Sequence, residues 1–78
     1  MPRFQLGKLV MTSGIQNIIN EKPSYQYELV NYLNRYMNED GIKNNERILA
    51  SYLTTSGKIY IITERDRSYT TILLRSEY

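Results

Sequence analysis

The segment from Ile59 to Leu74 constrains the fold of this chain more than any other. Ile59-Tyr60-Ile61-Ile62-Thr63 and Tyr69-Thr70-Thr71-Ile72-Leu73-Leu74 are β-branched and aromatic runs, separated by the short charged stretch Glu64-Arg65-Asp66-Arg67-Ser68. That pattern predicts a β-hairpin, because branched and aromatic side chains suit a pleated surface and a compact polar stretch suits a reversal. A further run, Ile48–Leu53, precedes it. Thr54-Thr55-Ser56-Gly57 forms the linker, with Gly57 able to take positive φ. Strands are expected at about Ile48–Leu53, Lys58–Glu64 and Tyr69–Leu74, joined as an antiparallel meander.

Upstream, Phe4 to Met11 is apolar enough for a short strand, with Gly7 marking a bulge or bend. Thr12 or Ser13 can cap a short helix through Gly14–Ile19, in which Ile15, Ile18 and Ile19 recur on one helical face. Glu21-Lys22-Pro23 ends it, since proline lacks an N–H and restricts the residue before it. Ser24 is the candidate cap of a second helix with the apolar stripe Leu29, Val30, Leu33 and Met37. Tyr36 lies at the stripe's edge, and Glu28, Asn31, Asn34 and Arg35 lie opposite. Asn38-Glu39-Asp40-Gly41 supplies the stop. Ile42–Glu46 reads either as a single helical turn or as a loop leading into the next strand. The expected fold is a single α+β domain over residues 1–78: a short N-terminal strand, two helices, then a three-stranded antiparallel meander.

Alternation along the strands has a consequence. Ile59 and Ile61 fall on one face of the central strand, Tyr60 and Ile62 on the other, and Ile72 and Leu74 oppose Leu73. A sheet apolar on both faces needs cover on both. Either the two helices divide between the faces, or they share one and the other meets a partner or a second copy of the chain. Leu33 and Ile61 are the expected core anchors.

With 78 residues there is room for one modest core, and with no cysteine and no histidine neither disulfides, thiolate sites nor imidazole chemistry can operate. Neither a cofactor nor a metal is expected. The adjacent Glu39 and Asp40 fall short of a calcium loop, which draws oxygens from about six positions. No apolar run approaches the roughly 20 residues of a membrane span, and Met1-Pro2-Arg3-Phe4 does not begin a signal sequence; a cytoplasmic location is the expectation. The net charge of +2 is spread along the chain. The 8 tyrosines, with abundant Ile, Asn and Lys, fit an AT-rich coding sequence, against selection for an aromatic binding surface.

The concentrated polar group is Glu64, Arg65, Asp66 and Arg67. It reads as a phosphate clasp or a charged plug for a protein surface, against a solvated turn in which Asp66 bonds local backbone N–H groups. Tyr60 and Tyr69, with Tyr52, suggest a stacking platform for nucleic-acid bases, against plain packing, since the three need not share a face. Thr70 and Thr71 read as β-branched strand residues, against a hydroxyl contact to a ligand. No catalytic residue is assigned.

Several stretches together resemble a group of small proteins carried by plasmids, prophages and integrated elements, often labelled "plasmid-related" or "type I restriction endonuclease subunit M". They are Leu6-Gly7-Lys8-Leu9-Val10-Met11-Thr12-Ser13-Gly14, Asn45-Glu46-Arg47-Ile48-Leu49, Ala50-Ser51-Tyr52, and Ile59 to Tyr78. Tyr60 stands where those proteins tend to have Trp, Arg65 replaces a small residue, and Arg75-Ser76 replaces a Pro-Glu pair. The methyltransferase label does not transfer: that activity needs a doubly wound domain of well over about 100 residues with a glycine-rich cofactor turn. What the resemblance implies is an accessory protein of a mobile element. The expected function is non-enzymatic protein binding, with a host or defence complex as partner and a homodimer as a further association. The alternative is a nucleic-acid-associated factor using Lys58, Arg65, Arg67 and Arg75.

Overall fold

The computed structural model describes residues 5–44 and 47–78 of the chain. Strand β1 (Lys8–Met11) leads into helix α1 (Ser13–Glu21) and helix α2 (Tyr25–Arg35), which widens into a π-helical turn, Tyr36–Asp40. Strands β2 (Ile42–Asn44), β3 (Arg47–Thr54), β4 (Gly57–Thr63) and β5 (Tyr69–Leu74) follow, then a 3-10 turn, Arg75–Glu77. The meander β3-β4-β5 forms as the sequence predicts, within a wider, mixed sheet ordered β1-β5-β4-β3-β2. β1 runs parallel to β5, and the remaining pairs are antiparallel.

One expectation changes here. The ambiguous segment after Gly41 supplies an edge strand, with Ile42 opposite Leu49. The N-terminal strand, whose pairing the sequence leaves open, joins the meander beyond β5 and parallel to it, which makes the whole sheet mixed. Gly7 is the hinge for that docking. At φ +66 it lies in the left-handed region, and a Cβ there would collide with the carbonyls of Arg67 and Ser68. The Lys8 N–H then donates to the Ser68 carbonyl at 3.0 Å. Phe4, part of the expected first strand, lies outside the described residues.

Both helices share one face of the sheet. Ile15 of α1, Tyr25 and Leu29 of α2, and Tyr36 pack on Ile48, Ala50, Tyr52, Ile59, Ile61 and Ile72. The helix stripe is rotated from its expected position. Tyr25, Leu29 and Tyr36, spaced by four and seven, point inward, Leu33 and Met37 are half-buried, and Val30 is 52% exposed. Leu33 is therefore a flank of the core, whereas Ile61 is fully buried. The tyrosines displace the aliphatic stripe because their hydroxyls find partners inside: Tyr25 meets the Thr54 hydroxyl at 2.6 Å, and Tyr36 donates to the Ile48 carbonyl at 2.8 Å.

A buried hydroxyl chain crosses the core. Tyr36 lies 2.7 Å from the Thr63 hydroxyl, Thr63 lies 2.7 Å from that of Thr70, and Thr70 donates to the Leu6 carbonyl at 2.7 Å. It links the turn after α2 with β4, β5 and the approach to β1. Thr70 is thus a structural hydroxyl as well as a branched strand residue.

Candidate functional site

Among the described residues, the opposite face of the sheet carries no helix. Its side chains follow from the register: Lys8 and Val10 on β1, Tyr69, Thr71 and Leu73 on β5, Lys58, Tyr60 and Ile62 on β4, and Arg47, Leu49, Ser51 and Leu53 on β3. Ile62 and Leu73 form a buried centre, while Tyr69 is 41% and Leu53 75% exposed. A shallow depression over that centre is lined by Arg47, Ile62, Glu64, Tyr69, Leu73 and Tyr78.

Tyr78 reaches this face by way of a clasp. Glu77 places its carboxylate at the N-terminus of α1, where Oε1 accepts from the Thr12 hydroxyl (2.6 Å) and the Leu74 N–H (3.0 Å). Oε2 accepts from the Gly14 N–H (3.2 Å). Unsatisfied N–H groups and the helix dipole favour an anion there. The Thr12 hydroxyl bond, with the Leu74 N–H, holds the Glu77 carboxyl below its usual range. A side chain at position 14 would crowd that carboxylate, since its Cβ would fall 2.8 Å from the carboxylate atoms, so glycine suits the site. Fixed in this way, the tail turns the Tyr78 ring onto Tyr60, with centroids 5.2 Å apart and planes tilted by 50°.

The face also concentrates positive charge. Among the described residues, Lys8, Arg47 and Lys58 stand on it with one acid, Glu64. The helical stretch 13–40 carries Glu21, Glu28, Glu39 and Asp40 against Lys22 and Arg35. Among the described residues, Lys8 and Lys58 make no ion pair. Arg47 reaches Glu64 only at 3.9 Å, and its Nε is buried without a hydrogen-bond partner.

The charged turn is largely occupied with itself. Asp66 Oδ1 accepts from the Ser68 N–H at 3.0 Å, and hydrogen bonding from Ser68 holds the Asp66 carboxyl low. Arg67 has φ +61, and its guanidinium donates to the carbonyls of Glu64 (3.1 Å) and Arg65 (2.9 Å). Arg65 and Asp66 are exposed. Of the six candidate residues, the structure gathers Tyr60, Glu64 and Tyr69 on or beside the open face and sets Arg65, Asp66 and Arg67 in the turn at its end. Tyr52 departs to the helix side, where it stacks on Tyr32 (4.7 Å), lies under Arg35 (5.6 Å) and donates to Asp40 (2.9 Å). Burial, then that carboxylate, raises the Tyr52 pKa. The wide turn after Arg35 is what returns Asp40 to this cluster, where it also pairs with Arg35 at 3.3 Å.

Three residues of the open face escape sequence reasoning: Lys8, Arg47 and Tyr78. Strand parity could have found the first two once register was known. Tyr78 lies past the last strand and carries no such signal. Among the described residues, no cluster of three or more metal-ligating His, Cys, Asp or Glu side chains forms, and no helix is long and apolar enough to cross a membrane. No protein-family model, curated protein or solved structure matches the chain.

Proposed function

We propose that this chain is a non-enzymatic accessory protein of a mobile genetic element that works by holding a macromolecule against the open face of its sheet. The observation that carries the reading is the division of the molecule: both helices lie on one face, and the other, with no helix among the described residues, leaves Leu53, Tyr69 and Tyr78 exposed. Half-covered apolar surface of this kind favours association. The mobile-element setting comes from the sequence resemblance alone. A protein of a host or defence complex suits this face, since exposed Tyr69 and Tyr78 beside Arg47 are residue types found in interaction hot spots. A second copy of the chain suits it less well, because face-to-face pairing would bring together two net-cationic surfaces. The nucleic-acid reading has a specific observation in its favour, the shared face of Lys8, Arg47, Lys58 and three tyrosines.

The test is affinity capture from the native host, with and without nuclease, comparing the wild type with the double variant Leu53→Glu/Tyr69→Ala. Both residues are exposed, so the variant should fold. Loss of the captured partner with an unchanged melting temperature supports the open face; undiminished capture removes it.

A further inference from the structure

We infer that the open face is a binding surface for single-stranded nucleic acid, with bases stacked on Tyr60, Tyr69 and Tyr78 and phosphates held by Lys8, Arg47 and Lys58. This rests on the reading of that face as the working surface and names its occupant.

Three observations converge. First, the tyrosines share a face. Tyr60 opposes Leu73 and Glu64 bonds across to Tyr69, so the two tyrosines lie on neighbouring strands, four residues out of register. At about 3.4 Å per residue that is roughly 14 Å, a distance that two or three stretched nucleotides can bridge. Tyr78 extends the platform from Tyr60 through their ring contact. Base stacking on aromatic rings is indifferent to sequence, because every base has a π-face.

Second, the cations bracket that line of rings. Lys8 lies opposite Tyr69 on β1, and Lys58 lies two residues before Tyr60 on β4. Arg47 flanks the depression between the tyrosines, with its guanidinium only loosely engaged by Glu64 at 3.9 Å. The Arg47 side chain is 41% exposed, so the outer part of its guanidinium can meet a phosphate oxygen.

Third, shape selects the strand state. A duplex shows its bases only in grooves, which are read by protruding helices or ribbons. This surface is the flat side of a sheet, with both helices behind it. An unpaired strand can lay its bases flat on such a surface and send its backbone along the cationic rim.

The test is fluorescence anisotropy with fluorescein-labelled dT12 and rU12, and the same dT12 annealed to dA12, with inorganic polyphosphate as a purely ionic competitor. Single strands should bind at least tenfold more tightly than the duplex, and the DNA and RNA arms decide which sugar is preferred. With three phosphate contacts, a salt slope of about −0.7 per contact predicts roughly twentyfold weaker binding between 50 and 200 mM salt. Tyr69→Ala and Tyr78→Ala should each weaken binding at least fivefold with little change in melting temperature, and Lys58→Glu should weaken it and flatten the salt slope. Duplex binding as tight as single-strand binding, with both tyrosine variants neutral, overturns the proposal in favour of plain ionic attraction. Absence of single-strand binding at 100 µM protein overturns it outright. If nuclease-resistant capture of a protein is then still lost in Leu53→Glu/Tyr69→Ala, the open face remains the working surface with a protein on it. If light scattering instead shows a dimer dispersed by that variant, the occupant is a second copy. If neither capture nor assembly depends on the face, the functional reading falls as well.

Discussion

Thr63→Val should be the mildest of three substitutions along the buried hydroxyl chain, although Thr63 is its middle member and fully buried. The reasoning is a count of protons. Tyr36, Thr63 and Thr70 bring one hydroxyl proton each, and they make four short contacts of 2.7–2.8 Å. The two outer contacts end on the carbonyls of Ile48 and Leu6, which have no proton to give, so Tyr36 and Thr70 must spend theirs there. Thr63 is left with one proton for two contacts. Valine at that position therefore removes a single hydrogen bond between hydroxyls, leaves both carbonyls with their donors, and puts a methyl group of similar shape in a dry site. The cost should be about 0–1 kcal/mol. Tyr36→Phe and Thr70→Val each take a donor away from a carbonyl, and each should cost about 1–3 kcal/mol.

Urea titrations of the three variants, with the m-value checked for constancy, measure these differences directly. Thermal unfolding gives a second scale, since 1 kcal/mol corresponds to about 4–8 °C in a domain of this size. Thr63→Val should melt within a few degrees of the wild type, with Tyr36→Phe and Thr70→Val clearly below it. If Thr63→Val proves as costly as Tyr36→Phe, the proton assignment is wrong.

Ile61→Ala, at a fully buried position on the central strand, should cost about 2–5 kcal/mol, whereas Leu53→Ala on the open face should be nearly silent in the same denaturation assay. Gly7→Ala should destabilise the docking of β1, because the left-handed backbone and the Arg67 and Ser68 carbonyls both exclude a Cβ; faster amide hydrogen exchange at Lys8 and Thr12 would report it. Glu77 should make stability depend on acid. Its carboxyl titrates lower in the folded chain than its ordinary 4.5, so its contribution is present above that value and lost as pH falls through the lower folded value; Glu77→Gln should flatten the melting temperature across that acid window.

The sequence was most legible where one periodicity ruled alone. The runs Ile48–Leu53, Ile59–Thr63 and Tyr69–Leu74 are dense in branched and aromatic residues, and their strands match the expected bounds to within a residue or two. Helix α2 formed where its stripe predicted, but its inward face was misplaced. Hydropathy ranks Val30 and Leu33 above tyrosine, whereas burial of Tyr25 and Tyr36 depended on hydroxyl partners at Thr54, Ile48 and Thr63, far along the chain. The place of β1 was also hidden. It rests on contacts between Gly7 and a turn some sixty residues later, and no local pattern encodes a parallel neighbour.

The same limit explains why the charged turn stood out, and an uncovered sheet face could be expected, while Lys8, Arg47 and Tyr78 on that face could not be seen. Glu64 to Arg67 are adjacent in sequence, so they catch the eye, yet folding spends much of their hydrogen bonding on the turn's own backbone. Lys8, Arg47, Lys58, Tyr60, Tyr69 and Tyr78 are scattered over some seventy residues, and only strand register and the Glu77 clasp bring them to one side. Contiguous charge in a tight turn is consumed by the geometry that makes the turn. Charge distributed at one parity along several strands is not, because each side chain leaves the sheet with its backbone already paired.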